Sequence, residues 1–407
     1  MVSLSQIFDH YKSLVLGEKI THGFYLFGPI FMLIERSPGD VWLSLCGVIF
    51  LGHCITNGNW SWLKTGWVKF TFLFWSVCIT SACLSELPFY SLGEAIAWFR
   101  FPLFAFASCF YFCRSREIFY AMAISIFTGL ILMTGILIAE IIIVGAQNGR
   151  LSWPYGDLTP GNYLAKACLP IFCMLIALAV ANKGKLSSLA AIISFVTISV
   201  SVFAGERINL IIRVCGGMLA GLSWKPKLLP YCILICIELA AIAGVFLTND
   251  KMANRFGSQF INSLPIHSDS AYMRVWQGGI VAFKESPIIG IGPDVYRKTC
   301  PTLASGFSNI DCHTHPHNYY IQLAGETGLI GLVAGCFMIG SILVTCFSFR
   351  REGKDNIFTA IAYVIPLAVF FPLQSTGDFF GQWNNLFMWS GVAFALASGN
   401  LLKHEKV

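Results

Sequence analysis

Three histidines crowd into one short polar segment, His313-Thr-His315-Pro-His317-Asn318, of a chain that holds eight histidines in all. Imidazole is the side chain whose charge changes near neutral pH, so this segment is a candidate for acid–base chemistry or for metal binding. A proline precedes the last histidine, and an apolar helix is predicted to begin directly after the segment. The titratable groups therefore lie directly before the start of that helix.

The histidine segment supports two hypotheses. Alternating residues of an extended segment share one face, so the three histidines can form a metal site, which Asp311 or Cys312 would complete. The flanking loop lacks further well-spaced carboxylates, which disfavours this site. The sharper hypothesis makes His317 a general base, kept neutral by the N–H groups and the dipole at the start of the following helix. A histidine that only caps the helix is the structural alternative.

A surplus of cationic side chains lies in or beside apolar stretches, where a buried charge is costly and is a candidate for function. These residues fall toward the outer half of the predicted spans and are Arg100, Lys166, Arg207, Arg213 and Arg274. A pocket of this kind suits a phosphate or diphosphate, which arginine binds with paired hydrogen bonds. The structural alternative is a side chain that reaches the interface or pairs with a carboxylate of Glu94, Glu140 or Glu206.

The composition places the chain in a membrane. Of 407 residues, 56% are hydrophobic and 12% are charged, with a mean hydropathy of +0.68, whereas soluble domains carry about 25% charged residues. Soluble multidomain proteins are thereby excluded, and an all-α integral membrane protein is expected. The first twenty residues contain Asp9 and Glu18 and no long apolar core, so we expect no cleaved signal peptide.

Twelve windows approach the composition of a spanning helix, which needs about 20 mainly apolar residues. The windows are 22–34, 41–56, 66–84, 92–112, 118–144, 162–181, 187–203, 208–223, 228–248, 319–347, 357–374 and 384–402. The first two and 208–223 are short, so their boundaries are loose.

Lysine and arginine collect in cytoplasmic loops and orient the spans. With the N-terminus in the cytoplasm, three basic residues lie on the short outer connections, namely Arg36, Arg150 and Arg207. Fifteen lie on the inner side: Lys12, Lys19, Lys64, Lys69, Arg114, Arg116, Lys183, Lys185, Lys225, Lys227, Arg350, Arg351, Lys354, Lys403 and Lys406. Both termini are therefore predicted to be cytoplasmic, and no nucleic-acid partner is needed to explain the net charge of +6.

One outer connection, Asn249 to Asn318, is much longer than the others, and long structured loops are usually functional. The predicted organisation is spans one to nine in 1–248, a loop in 249–318, and the last three spans in 319–407, all in one membrane domain.

Three features of this region carry structural expectations. Ala271–Glu285 has near-helical apolar spacing and is expected to lie flat on the outer surface. Cys300 and Cys312 are candidates for a disulfide that closes a short loop before the histidines, provided that the loop faces an oxidising compartment. After the histidines, a small helix face for close packing is predicted at Gly325, Gly328 and Gly331.

His317-Asn318 is followed by nine residues and then by Gly328-Leu-Ile-Gly331. In the long loop, Arg274-Val-Trp276 is followed by Ser286-Pro-Ile-Ile-Gly-Ile-Gly292. The first motif matches the H-[NSQ]-x9-G-x-x-G pattern of the bacterial O-antigen ligases and the second resembles their long-loop signature, so the chain resembles that family. The resemblance extends over the whole chain in length, spans and loop position. O-antigen polymerases and protein-directed oligosaccharyltransferases share the histidine pattern in part.

The resemblance implies a GT-C-like, metal-independent glycosyltransferase without a cofactor, in the bacterial inner membrane with its active site on the periplasmic face. It would transfer polysaccharide from undecaprenyl diphosphate to a sugar of lipid A–core, with inversion, in lipopolysaccharide biosynthesis. By position, Arg207 and Arg274 would bind the diphosphate and His317 would activate the acceptor, with His315 assisting. Arg100 and Lys166 remain candidate diphosphate ligands from their place near the outer ends of spans.

Three other functions compete with this one. A lipid-linked glycan transporter would line a path with cations, but transporters often contain inverted repeats and helices broken near mid-membrane, and no repeat is visible here. An O-antigen polymerase is the nearest enzymatic rival, distinguished by its acceptor, which is another lipid-linked glycan. A protein-directed oligosaccharyltransferase would need an acceptor protein bearing serine or threonine.

Overall fold

The computed structural model describes residues 2–146, 150–156, 160–181, 184–265, 269–307, 309–373 and 377–404. In these ranges the chain is helical and forms no strand. This agrees with the predicted class, because a helix satisfies its own backbone polar groups inside hydrocarbon. Two of the basic residues used to orient the chain, Lys183 and Lys406, lie outside the described residues.

The helices are numbered in chain order. The first twelve are α1 Leu4–Ser13, α2 Leu16–Leu26, α3 Gly28–Ile34, α4 Arg36–Asn57, α5 Gly66–Cys83, α6 Pro88–Trp98, α7 Arg100–Phe110, α8 Arg116–Ile143, α9 Pro160–Ala167, α10 Leu169–Ala181, α11 Lys185–Phe203 and α12 Arg207–Ser223. The others are α13 Leu228–Thr248, α14 Asp250–Phe256, α15 Ser258–Ser263, α16 Ala271–Glu285, α17 Tyr296–Leu303, α18 Tyr319–Glu352, α19 Ile357–Ile361, α20 Val364–Val369 and α21 Gln382–Ala397.

Eight spans among the described residues are long and apolar enough to cross a membrane. They are α4, α5, α8, α11, α13, α18, the pair α6–α7 with its extension to Arg114, and α21 with its extension to Leu402. Helices α9 and α10 form a ninth candidate, bent by 60° between them. The protein therefore has the character of a multi-pass membrane protein.

The predicted count of twelve spans is not confirmed, because three windows fall on helices that are too short. Window 22–34 falls on α2 and α3, window 357–374 on α19 and α20, and window 208–223 on α12, which has 17 residues. Prolines explain two of these cases: Pro29 starts α3 and Pro366 lies inside α20, and neither can donate a helical hydrogen bond. Apolar composition alone does not reveal such breaks.

Helix α18 organises the half of the bundle that carries the histidine segment. It packs against α5 and against α16, the helix that lies within the long loop. The bounds predicted for α16, Ala271–Glu285, are those observed, and its buried face is mostly small, with Gly278, Gly279 and Ala282. A β-carbon on Gly279 would lie 2.5 Å from Ile321 of α18 and 2.9 Å from Pro316. Helix α16 therefore lies directly on the histidine segment.

Helix α18 is broken at Gly328, where φ is 65° and ψ is −170°, a conformation open to glycine almost alone. Segment 286–292 lies against this break and bonds to it through the backbone. Ile291 and Gly292 donate to the carbonyls of Gly325 and Glu326 at 3.1 and 2.9 Å. Beyond the break, Leu329 donates to the Pro287 carbonyl at 2.8 Å. The broken helix thus exchanges its own hydrogen bonds for bonds to the loop.

The glycines of the predicted packing face have different roles. Gly325 lies in close contact, since its β-carbon would lie 3.0 Å from the Gly279 carbonyl oxygen of α16. A β-carbon on Gly328 would lie 2.3 Å from the Ile288 carbonyl carbon, and one on Gly290 would lie 2.3 Å from that of Glu326. Gly328 is therefore needed for its backbone conformation as well as for close approach, which the sequence pattern did not reveal.

We predict that Gly328→Ala lowers the free energy of unfolding by about 3 kcal/mol, because alanine strains the backbone there and meets Ile288. Gly340→Ala, in the same helix, is the matched control: its added β-carbon meets nothing within 4 Å, and alanine favours a helix over glycine by about 1 kcal/mol. Thermal unfolding of the detergent-purified variants measures both effects. Equal unfolding temperatures for the two variants would contradict this role for Gly328.

Candidate functional site

The three histidine rings lie together at the start of α18. The ring centroids of His315 and His317 are 4.3 Å apart, and those of His313 and His317 are 5.4 Å apart. His317 is therefore the centre of the cluster. His313 is exposed and the other two residues are half-buried, so the cluster has one open side.

The backbone of His317 is left-handed, with a φ of 52°. Few residues other than glycine adopt this conformation, although histidine, asparagine and aspartate do so more often than most. The next residue, Asn318, caps α18 by accepting from the N–H groups of Tyr320 and Ile321 at 3.0 and 3.1 Å. The N–H groups that were expected to act on His317 are thus bonded to Asn318. The cap instead fixes the direction in which His317 leaves the helix.

His315 supports His317 from the buried side. Its Nε2 atom is enclosed and has no hydrogen-bond partner among the described residues, while Nδ1 lies 3.0 Å from the Thr314 hydroxyl. Burial lowers the pKa of His315 to about 4; Asp378 opposes this shift, and the neighbouring His317 adds to it. The His315 ring is therefore neutral at neutral pH.

Two links join the histidine segment to earlier parts of the long loop. Cys300 of α17 forms a disulfide with Cys312. Asp311 forms an ion pair with Arg274 of α16, in which Nε lies 2.9 Å from Oδ2. The Arg274 side chain remains 40% exposed, so its guanidinium is held in direction and still reaches solvent.

A cluster of arginines surrounds the start of α12 and consists of Arg150, Arg207 and Arg255. Burial and the nearby charges of the other two lower the pKa of Arg255 to about 10, although Glu206 opposes the shift. Burial and Arg207 likewise lower the pKa of Arg150. The Nη1 atom of Arg207 is buried without a hydrogen-bond partner among the described residues. Three like charges near one carboxylate leave a net positive site, which a bound anion would stabilise.

The first turn of α16 connects the arginine cluster with the histidine segment. Tyr272 lies within electrostatic range of Arg150 and Arg255. Two residues later, Arg274 holds Asp311, which is next to Cys312 and the histidines. The arginine cluster and the imidazoles are therefore linked through the first turn of one short helix.

Comparison with known proteins identifies the segment that builds this arrangement. Residues 167–336 match the family described as O-antigen ligase. This segment of the chain is similar to that family. The matched residues include Arg207, Arg255, Arg274, His317 and Gly328.

A curated relative points the same way over a shorter stretch. The exopolysaccharide production protein ExoQ of Rhizobium meliloti (strain 1021) is 29% identical over 152 residues. The alignment covers 34% of this chain and 31% of ExoQ, so the chain spans about a third of the length of that relative.

Two of the cations predicted to bind diphosphate are engaged in other contacts. Arg100 donates from Nε to Asp40 of α4 at 2.8 Å and from Nη1 to the Ala97 carbonyl at 2.5 Å. Lys166 is fully buried and donates to the Asn384 side chain at 2.5 Å. Enclosure leaves the Lys166 ammonium no surface for a ligand, so both residues are omitted from the site developed below. Arg213 is likewise buried and donates to the carbonyl and hydroxyl of Thr197 at 3.0 and 3.1 Å.

The sequence did not predict a buried polar network that lies beneath the histidines. Arg297 of α17 bridges Asp294 and Asp378 at 2.7 and 2.6 Å. Gln322 of α18 donates to Asp378 at 2.7 Å and to Glu326 at 3.0 Å. The only signal in the sequence was the presence of charges in an apolar chain, because these residues are far apart along it.

The network is connected to the site through Asp378, which interacts electrostatically with His315. Asp294 has a left-handed backbone, with a φ of 60°, and accepts from the Tyr90 hydroxyl at 2.5 Å. Burial and the nearby Asp378 raise the pKa of Asp294 to about 7. We infer that the network positions the helices that carry the histidines.

The alternative use of the histidines as metal ligands has a geometric test. In the part of the chain that the structure describes, no group of three or more His, Cys, Asp and Glu side chains is arranged to hold a metal ion. The imidazoles contact each other through tilted rings, at interplanar angles of 62° and 63°.

We predict that Cys300→Ser and Cys312→Ser each lower the free energy of unfolding by about 3 kcal/mol, as expected for a short loop of this size, since the two cysteines are 12 residues apart. The double variant should be no less stable than either single one. Cys336→Ser, which removes an exposed free cysteine of α18, is the control. Thermal unfolding with and without reductant measures the effect, and a wild-type protein insensitive to reductant would contradict the prediction.

Proposed function

We propose that this protein is a lipid-carrier-dependent glycosyltransferase that transfers a glycan from undecaprenyl diphosphate to a sugar hydroxyl of lipid A–core. The observation that carries the proposal is that a cluster of arginines and a group of imidazoles are linked through the first turn of α16. The similarity of residues 167–336 to the O-antigen ligase family supports the same class of reaction.

The donor diphosphate would bind to the arginines. Arg207 and Arg255 come from α12 and α14, and Arg150 comes from the connection between α8 and α9. The guanidinium group of each arginine offers several N–H donors to the phosphate oxygens. Binding of the anion also relieves the mutual repulsion of the arginines. Arg274, held by Asp311, would contact the diphosphate on the side that faces the histidines.

The acceptor hydroxyl would lose its proton to His317, the residue at the centre of the imidazole cluster. In the transfer step the bond between the acceptor oxygen and the anomeric carbon forms while the bond from that carbon to the diphosphate oxygen breaks. The proton goes to His317, and the diphosphate leaves with the electron pair. His315 and the cap at Asn318 would hold the His317 ring in place.

The rest of the mechanism is stabilisation of the negative charge on the departing diphosphate. A diphosphate is a good leaving group and needs no protonation, so positive charge near it lowers the barrier. Arginine guanidinium groups supply that charge in this proposal, without a metal ion or a cofactor. One displacement at the anomeric carbon inverts its configuration, by the same geometric logic as in inverting glycosidases.

The proposed setting is the bacterial inner membrane. On the twelve-window assignment, in which the short helices α2–α3, α12 and α19–α20 also cross the membrane, the distribution of basic residues supports two cytoplasmic termini and a periplasmic histidine segment. In this arrangement residues 1–248 and 319–407 are the membrane parts, and 249–318 is a periplasmic loop that covers the site. All three parts belong to one domain with a GT-C-like arrangement of helices.

A polymerase that joins lipid-linked glycans is the second candidate function. The histidine pattern, which O-antigen polymerases share in part, supports it. The two candidates use the same donor and the same chemistry and differ in the acceptor alone.

The decisive experiment is transfer by the purified protein in proteoliposomes supplied with undecaprenyl-diphosphate glycan. Lipid A–core and a second lipid-linked glycan are compared as acceptors, each with and without EDTA. We expect product on lipid A–core that resists EDTA. Product on the second lipid-linked glycan alone would replace the ligase by the polymerase, and loss of product with EDTA would contradict the metal-independent mechanism.

We predict that His317→Asn lowers the rate of that transfer by about 100-fold or more, as expected for loss of a general base. Asparagine is chosen because it tolerates the left-handed backbone at this position, so the variant separates chemistry from folding. His53→Asn, which changes a histidine on α4, is the control. A His317→Asn protein with the wild-type rate would exclude His317 as the base.

A further inference from the structure

A second pocket lies at the end of the bundle opposite the histidine segment. It has a volume of about 440 Å³, within the range of about 300–1,000 Å³ that is typical of ligand sites. Helices α8, α10 and α11 form its walls, and the turn before α19 closes its end. Helix α18 separates it from the histidines, and the 24 residues from Leu329 to Glu352 beyond the break alone span about 36 Å at 1.5 Å per residue. The pocket is therefore distinct from the proposed donor site.

The wall of the pocket is apolar and opens sideways. Ile124, Phe127, Met174, Leu178 and Ile193 contribute much of the lining. Leu189 of α11, which also lines it, is 53% exposed, and Ile124 of α8 is 44% exposed. In a membrane these surfaces face hydrocarbon, so a lipid chain can enter between α8 and α11 without crossing water.

The rim of the pocket carries one cation that is not neutralised. Asp355 is paired with Lys225 at 2.8 Å, and Asn356 donates to the Tyr120 hydroxyl at 3.5 Å. Arg116, at the start of α8, is half-buried and forms no ion pair with a carboxylate of the described residues. An apolar chamber with an unpaired arginine at its mouth matches an acyl chain attached to a phosphate.

We propose that this pocket binds an anionic glycerophospholipid, with one acyl chain between α8 and α11 and the phosphate on Arg116. Basic pockets between membrane helices on the cytoplasmic side are typical sites for anionic headgroups. The bound lipid would fill space that α8, α10 and α11 leave open and would join these helices at the end remote from the histidines. The proposal does not depend on the transfer reaction.

The test is lipid binding, measured by native mass spectrometry of the full-length protein in detergent. Phosphatidylglycerol and phosphatidylcholine with the same acyl chains are titrated separately. We expect phosphatidylglycerol to bind about fivefold more tightly, because a basic residue near anionic lipid contributes about 1 kcal/mol. Arg116→Gln should remove this preference, whereas Leu189→Trp should weaken the binding of both lipids by filling the chamber.

Two variants serve as matched controls. Arg351→Gln removes an exposed arginine at the same end of the bundle, and Ile192→Trp adds the same bulk to the exposed face of α11 outside the pocket. Both should bind lipid as the wild type does. Equal affinity of the wild type for the two lipids, or equal losses in the controls and the pocket variants, would overturn the proposal. If Leu189→Trp does not fold, the comparison of Arg116→Gln with Arg351→Gln decides alone.

Discussion

The contact between segment 286–292 and the broken turn of α18 is the constraint on which the half of the protein with the histidine segment depends. The loop backbone approaches the helix so closely that there is no room for a β-carbon at Gly290 or Gly328. Serines at and just beyond the C-terminal end of α5 reinforce the contact: Ser81 donates to the Glu326 carbonyl at 3.0 Å and Ser85 to the Ile291 carbonyl at 2.6 Å. These contacts hold the long loop to two helices through its backbone. They offset the conformational entropy that the loop loses when it becomes ordered.

The same contact sets the electrostatics of the site. Segment 286–292 leads directly to Asp294 and α17, whose Arg297 gathers the buried carboxylates beneath the histidines. Two carboxylates thus share one arginine inside the protein, while the arginines at the start of α12 retain an excess of positive charge. This separation suits a reaction in which a diphosphate departs on one side and a neutral imidazole accepts a proton on the other.

The sequence predicted those parts of the protein that depend on local patterns. Apolar runs located most helices, and the bounds of α16 and the start of α18 at Tyr319 agree with the structure. Pairing across the chain was less accessible: nothing near Arg100 indicates Asp40, and nothing near His315 indicates Asp378. The left-handed backbone of His317 was likewise hidden, because it follows from the cap at Asn318 and from packing against α16.

The most direct test of the account is donor binding measured separately from transfer. Binding of undecaprenyl diphosphate to nanodisc-embedded protein in EDTA is compared for the wild type, Arg207→Gln, Arg255→Gln and His317→Asn. The account predicts about tenfold weaker binding or more for each arginine variant, as expected for loss of a charged hydrogen bond, and wild-type binding for His317→Asn. Wild-type binding by both arginine variants, or binding that requires a divalent cation, would contradict it.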